Sequence, residues 1–184
     1  MKRLFAIMAF ALLVLPAGIA RAEGPDHPVG GLGFHNSDAP VGVRWWMSDK
    51  FAIDAGIGFG SHEEPVAGGD TESLTNWNLD LGVPIMLRSW DRVHFMLRPG
   101  VQFGSEKVIT QEVPTVETDD LKTTAFGAEL EVEVFLVDKV SVSASHGLKF
   151  VSVDPPGGSS TSSWSTTGAN FTEVGFHVYL FGEH

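Results

Sequence analysis

The stretch AFGAELEVEVFLV, residues 125–137, alternates almost without a break. Ala128, Leu130, Val132, Val134 and Leu136 share one phase, and Glu129, Glu131 and Glu133 share the other. Successive side chains of a β-strand point to opposite faces, so the stretch predicts a strand with one apolar and one carboxylate face. Two architectures suit such a strand. A water-soluble sheet buries the apolar face and wets the glutamates. A membrane-spanning barrel turns the apolar face to lipid and the glutamates to a polar interior.

The same period recurs through residues 29–36, 41–47, 51–60, 73–88, 92–106, 140–153 and 167–181. With the opening stretch this makes eight strands. Their connections alternate in length: 48–50, 89–91 and 138–139 are short, while 61–72, 107–120 and 154–166 are long, with a brief turn at 37–40 on the long-loop side. Unequal ends of this kind predict an all-β fold, an eight-stranded antiparallel up-and-down transmembrane β-barrel. Pro84 and Pro99 fall inside strands although a barrel has no free edge to hold them, and a shared bulge is expected there. His146 falls on the apolar phase.

The chain of 184 residues begins with Lys2 and Arg3, continues with an apolar run from Leu4 to Ala20, and then reads Ala20-Arg21-Ala22. This is the layout of a secretory signal peptide, and cleavage is expected after Ala22. Residues 23–27 then form a short polar leader, and 28–184 the barrel domain. Removing Lys2, Arg3 and Arg21 from the 12 basic residues leaves nine against 23 acids, a net charge of −14 for the mature chain. Such a balance disfavours nucleic acid as a partner, because phosphate contacts need a basic patch. There is no cysteine, which rules out disulfides, thiolate metal sites and a cysteine-linked lipid anchor.

The second face of the strands favours lipid outside. Gly56, Gly58, Gly60, Ser141, Ser143 and Ser145 are small, as the narrow interior of an eight-stranded barrel requires. The charges on that face nearly balance: Asp54, Asp80, Glu129, Glu131 and Glu133 against Arg44, Arg88, Arg98 and Lys149. Buried charges must be paired, so these nine residues are expected to form one interior network. Aromatic residues cluster near strand ends. Trp45, Phe51, Trp90, Tyr179 and Phe181 lie toward the short turns, and Phe34, Phe59, Trp77, Phe103, Phe150 and Phe171 toward the long loops. Two aromatic girdles at two membrane interfaces are the expectation.

The signal peptide, the hairpin VGVRWWMSDKFAIDAGIGFG at residues 41–60 and the aromatic-rich last strand together resemble the small bacterial outer-membrane β-barrel proteins, the OmpA-like and OmpX-like barrels. The resemblance covers residues 28–181. It implies an outer-membrane location, with long loops extracellular and short turns and both termini periplasmic. It implies outer-membrane lipid, lipopolysaccharide and the barrel-insertion machinery as partners. It also implies a C-terminal assembly signal, matched by Tyr179 and Phe181.

A barrel filled with side chains is a plug, so a structural or surface-interaction protein with no cofactor is the first expectation. A narrow channel or small-ligand transporter is the alternative. A third reading, a lipid-modifying barrel enzyme, is suggested by Ser145-His146. Neighbouring strand residues face opposite ways, so these two cannot pair, and no catalytic residue is assigned. His35, His62 and His94 have no metal-ligand spacing.

Overall fold

Regular alternation becomes a continuous ladder of backbone pairs in the computed structural model, which describes residues 29–66, 69–111, 116–166 and 172–181. The expected signal peptide and the whole polar leader lie outside the described residues. Ten strand segments are present among the described ones: β1 (Gly30–Phe34), β2 (Val41–Ser48), β3 (Phe51–Pro65), β4 (Thr71–Gly82), β5 (Ile85–Trp90), β6 (Val93–Gln111), β7 (Glu117–Val137), β8 (Val140–Asp154), β9 (Thr161–Ser165) and β10 (Thr172–Phe181). Every pairing is antiparallel, and neighbours in sequence are neighbours in space. β10 pairs with both β8 and β1, which closes the sheet. β4 and β5 are two parts of one stave, and β9 and β10 are two parts of another, so the closed barrel has eight staves.

Polarity is inverted relative to a soluble protein. Leu130, Val132, Val134 and Leu136 stand exposed on the outside, while Glu129, Glu131 and Glu133 are buried inside. β2 repeats the arrangement, with Val41, Val43, Trp45 and Met47 exposed and Arg44 and Trp46 buried. β3 does so with Ile53, Ile57 and Phe59 outside and Ala52 and Asp54 inside. Of the aromatic residues expected in two girdles, Trp45 and Trp90 are exposed toward the short turns and Phe59, Trp77 and Phe103 toward the long loops, Phe34, Phe51 and Phe150 are half-buried, and Phe171 lies outside the described residues. Tyr179 departs from its expected place and lies buried inside.

The long loops are shorter than the sequence pattern suggests. β3 runs on to Pro65, β6 to Gln111, and β7 starts at Glu117. Lys107 pairs with Asp120 and Val108 with Asp119 where a loop was expected. Thr161–Ser165, also expected as loop, is β9 and pairs with Val153 to Lys149 of β8. The physical reason is that a ladder outside the apolar zone needs only backbone hydrogen bonds. Both of its faces meet water there, so alternation disappears although the strand continues.

The two prolines do not make the expected bulge. Gly82 pairs with Gly100 and Ile85 with Leu97, so equal numbers of residues separate the two registers. The ladder is merely interrupted, with the Val83 amide donating to the Pro99 carbonyl and the Ala52 amide to the Pro84 carbonyl. The true bulge is at Leu87, between the Met86↔Met96 and Arg88↔Phe95 pairs. An extra residue shifts the side-chain phase by one. Arg88 therefore leaves the interior phase and stands exposed on the outer face.

Candidate functional site: the charged interior

Three levels fill the barrel. At the short-turn end Trp46, Ala52, Met96, Phe135 and Tyr179 pack together, with Met86 against them. This apolar cap comes from inward positions of β2, β3, β5, β6, β7 and β10 that lie near the short turns. The Phe135 and Tyr179 rings stack at 5.5 Å, and His94 meets Phe135 edge-on at 5.0 Å.

The middle level is ionic. Arg44 donates to both oxygens of Glu131, Nη1 to Oε1 at 2.8 Å and Nη2 to Oε2 at 3.0 Å. Its Nη2 also reaches Asp54 Oδ2 at 2.9 Å, and Nη1 lies 3.4 Å from Glu133 Oε2. Arg98 takes the other side of Asp54, with Nη2 at 2.9 Å and Nε at 3.1 and 3.2 Å, and also donates to Asp80. One carboxylate thus joins two guanidinium groups. Gly82 makes this possible: a Cβ there would fall 2.4 Å from Asp54 Oδ1 and 2.5 Å from the Arg98 guanidinium carbon. Lys149 pairs with Glu129 at 3.1 Å and Glu173 at 2.5 Å. Glu129 lies 3.7 Å from Arg98, so the network is continuous.

Glu133 links the ions to the apolar cap. It accepts from Ser141 at 2.5 Å and from the Tyr179 hydroxyl at 2.8 Å, and Tyr179 in turn accepts from the Trp46 indole at 3.4 Å. His94 and His177 flank it at 3.9 and 3.6 Å. Buried ions without partners are expensive, and each carboxylate here has at least one cation or hydrogen-bond donor.

The third level closes the long-loop end. The turn after β1 folds into the barrel mouth, leaving His35, Asn36 and Ala39 buried. Asn36 Oδ1 accepts from the amides of Asp38 at 3.0 Å and Ala39 at 2.7 Å, which holds the turn tight. Its Nδ2 reaches Asp80 and Glu173, and His35 Nε2 lies 3.0 Å from Arg98 Nη2 and 3.3 Å from Asp80. Glycines on the neighbouring strands give the turn its room. A Cβ on Gly58 would fall 2.1 Å from the Asp38 carbonyl oxygen, and one on Gly56 2.5 Å from the His35 ring.

Eight of the nine expected network residues meet: Arg44, Asp54, Asp80, Arg98, Glu129, Glu131, Glu133 and Lys149. Arg88 does not, for the reason of phase given above. Sequence reasoning missed Glu173, His35, Asn36, Ser141, Tyr179 and His177. Glu173 and His177 sit on the polar phase of the last strand, opposite Val174, Phe176 and Val178, and that phase was the available signal.

His35, Asp54 and Asp80 present ligand atoms within 4.8 Å of one another, a spacing that suits a cation. The Arg98 guanidinium bonds to Asp54 and Asp80 and contacts His35, so a positive charge already fills that position. Among the described residues, a hollow beside Asp80, Arg98, Glu129 and Lys149 and another beside His35, Arg44, Glu131 and His177 each have about 10 Å³ of space, room for about one water. Ser145 points inward and donates to Glu129 at 3.0 Å, while His146 is exposed on the outside opposite Leu130.

Fold and interior together define a closed eight-stave β-barrel with an apolar exterior and an ion-paired core. No family model matches the chain, and no curated protein does. Among solved structures it is similar to a major outer membrane protein from Thermus thermophilus, with 12% identity and a TM-score of 0.43, over 81% of this chain and 97% of that one.

Proposed function

We propose that this protein is an integral β-barrel of the bacterial outer membrane, of structural or surface-interaction type, whose interior is sealed by its own side chains. The observation that carries this reading is the inverted polarity of the staves: apolar residues exposed in a belt, ions buried within. In water such a belt would far exceed the apolar patch a monomer tolerates. In lipid it is the required surface. The apolar cap, the ionic level and the infolded 35–40 turn support a plug over a pore.

On this reading the long-loop end is extracellular and the short turns and termini are periplasmic. The acidic residues Glu63, Glu64, Asp70, Glu72, Glu117, Asp119 and Asp120 then face lipopolysaccharide and the medium. Tyr179 and Phe181 serve the insertion machinery while the last strand is still unpaired, before Tyr179 turns inward onto Glu133.

Folding the urea-denatured chain into phospholipid vesicles tests the proposal. The unboiled folded protein should migrate apart from the boiled protein on a detergent gel, and planar bilayers should show no stepwise conductance. A chain that stays soluble and monomeric without lipid would sink the membrane reading. Regular conductance steps would replace the plug with a channel.

A further inference from the structure

Arg88 stands on a phase that is otherwise apolar or aromatic along this part of the barrel. Its register partner is Phe95, and Phe95 pairs in turn with Val132. Arg88 forms no ion pair among the described residues. Its guanidinium carbon instead lies 5.2 Å from the ring centroid of Trp90, the last residue of β5. Trp90 is half exposed on the same outer face, beside the short turn. A lone arginine is tolerated on a lipid-facing wall only near the interface, where its long stem lets the charge reach the headgroups. Arg92, exposed at the same turn, donates through Nη1 to the Leu136 carbonyl at 3.2 Å.

We infer that Arg88 and Trp90 form an external site for the phosphate of an anionic phospholipid headgroup at the short-turn interface. The inference rests on the membrane reading above. The guanidinium offers a planar fork of donors that matches two phosphate oxygens. The indole ring holds that fork on its face and itself favours the headgroup level. The bulge at Leu87 creates the site: without the phase shift Arg88 would point into the barrel. Among the described residues at the long-loop end, the exposed cations Lys107 and Lys122 stand among a larger number of carboxylates.

The test uses the full chain folded into vesicles of phosphatidylcholine alone and of phosphatidylcholine mixed with phosphatidylglycerol. Native mass spectrometry then counts the lipids retained by the released barrel. Wild type should retain phosphatidylglycerol over phosphatidylcholine by about fivefold, the effect of one cation near an anionic surface. Arg88→Gln should lose that preference, Arg88→Lys should keep part of it, and Lys122→Gln at the opposite end should match wild type. No preference in wild type, or an equal preference in Arg88→Gln, overturns the site. The folded-band shift on the gel is read on every sample. Its presence without lipid preference counts against this site alone, whereas its absence in all vesicles counts against the membrane reading.

Discussion

Placing arginine in turn at Ala128, Leu130, Val132, Val134 and Leu136 measures where the lipid is. Eight residues separate the first from the last, about 26 Å along the strand at roughly 3.3 Å per residue. A tilt of about 40° reduces this to about 20 Å of height, within an apolar band about 25 Å tall. Leu136 lies next to the short turn and so near one interface. The midplane, about 12 Å higher, is reached after about five residues, between Leu130 and Val132. Leu130→Arg should therefore cost about 2–4 kcal/mol and Leu136→Arg about 0–1 kcal/mol. Leu130 is 50% exposed and Leu136 57% exposed, so packing within the protein predicts nearly equal effects at the two sites. In a soluble barrel both substitutions would fall within about 0.5 kcal/mol of wild type. Urea titration of the vesicle-folded protein, followed by the folded band and by tryptophan fluorescence, gives the five values. A flat profile, or a maximum at Leu136, would refute a lipid-facing β7.

Three further outcomes follow from the interior. Arg98→Met leaves Asp54 and Asp80 short of a buried partner and should cost about 3–5 kcal/mol by urea titration, whereas Arg88→Met in phosphatidylcholine vesicles should cost less than about 1 kcal/mol. Equal costs would contradict the phase shift at Leu87. Gly58→Ala sets a Cβ against the Asp38 carbonyl and should destabilise by about 1–3 kcal/mol, with faster proteolysis within residues 35–40. Unchanged proteolysis would mean that the turn does not fill the mouth. Tyr179→Phe removes one donor from Glu133 and one acceptor from Trp46 and should cost about 1–3 kcal/mol, while leaving the gel shift of the folded protein intact.

How much was legible depends on which forces leave a trace in the chain. The apolar belt did, because an apolar outer face constrains every second residue over the whole height of the barrel. Strand number, order and antiparallel pairing followed from it. So did the eight members of the network that sit on regular polar phases, such as Arg44 in β2 and Glu129 in β7. Strand ends beyond the belt left no trace, since water on both faces imposes no period, and β9 and the upper parts of β6 and β7 passed for loop. The apolar cap was not anticipated, although Trp46, Met96 and Phe135 are large apolar residues on the polar phase beside short turns, and that exception to the pattern marks the sealed end.

By itself, then, the sequence determined an eight-strand all-β chain with one greasy and one ionic face, because side-chain direction in a strand is a local property with a period of two. Only the tertiary structure decided which ions meet and where the phase breaks. Arg44 reaches Glu131 across 87 positions of sequence, and their contact depends on closure between β8, β10 and β1. The bulge at Leu87 and the infolding of residues 35–40 are likewise settled by neighbouring strands. Their registers and their missing side chains determine whether an arginine faces the ions or the outer surface and whether a turn can enter the mouth.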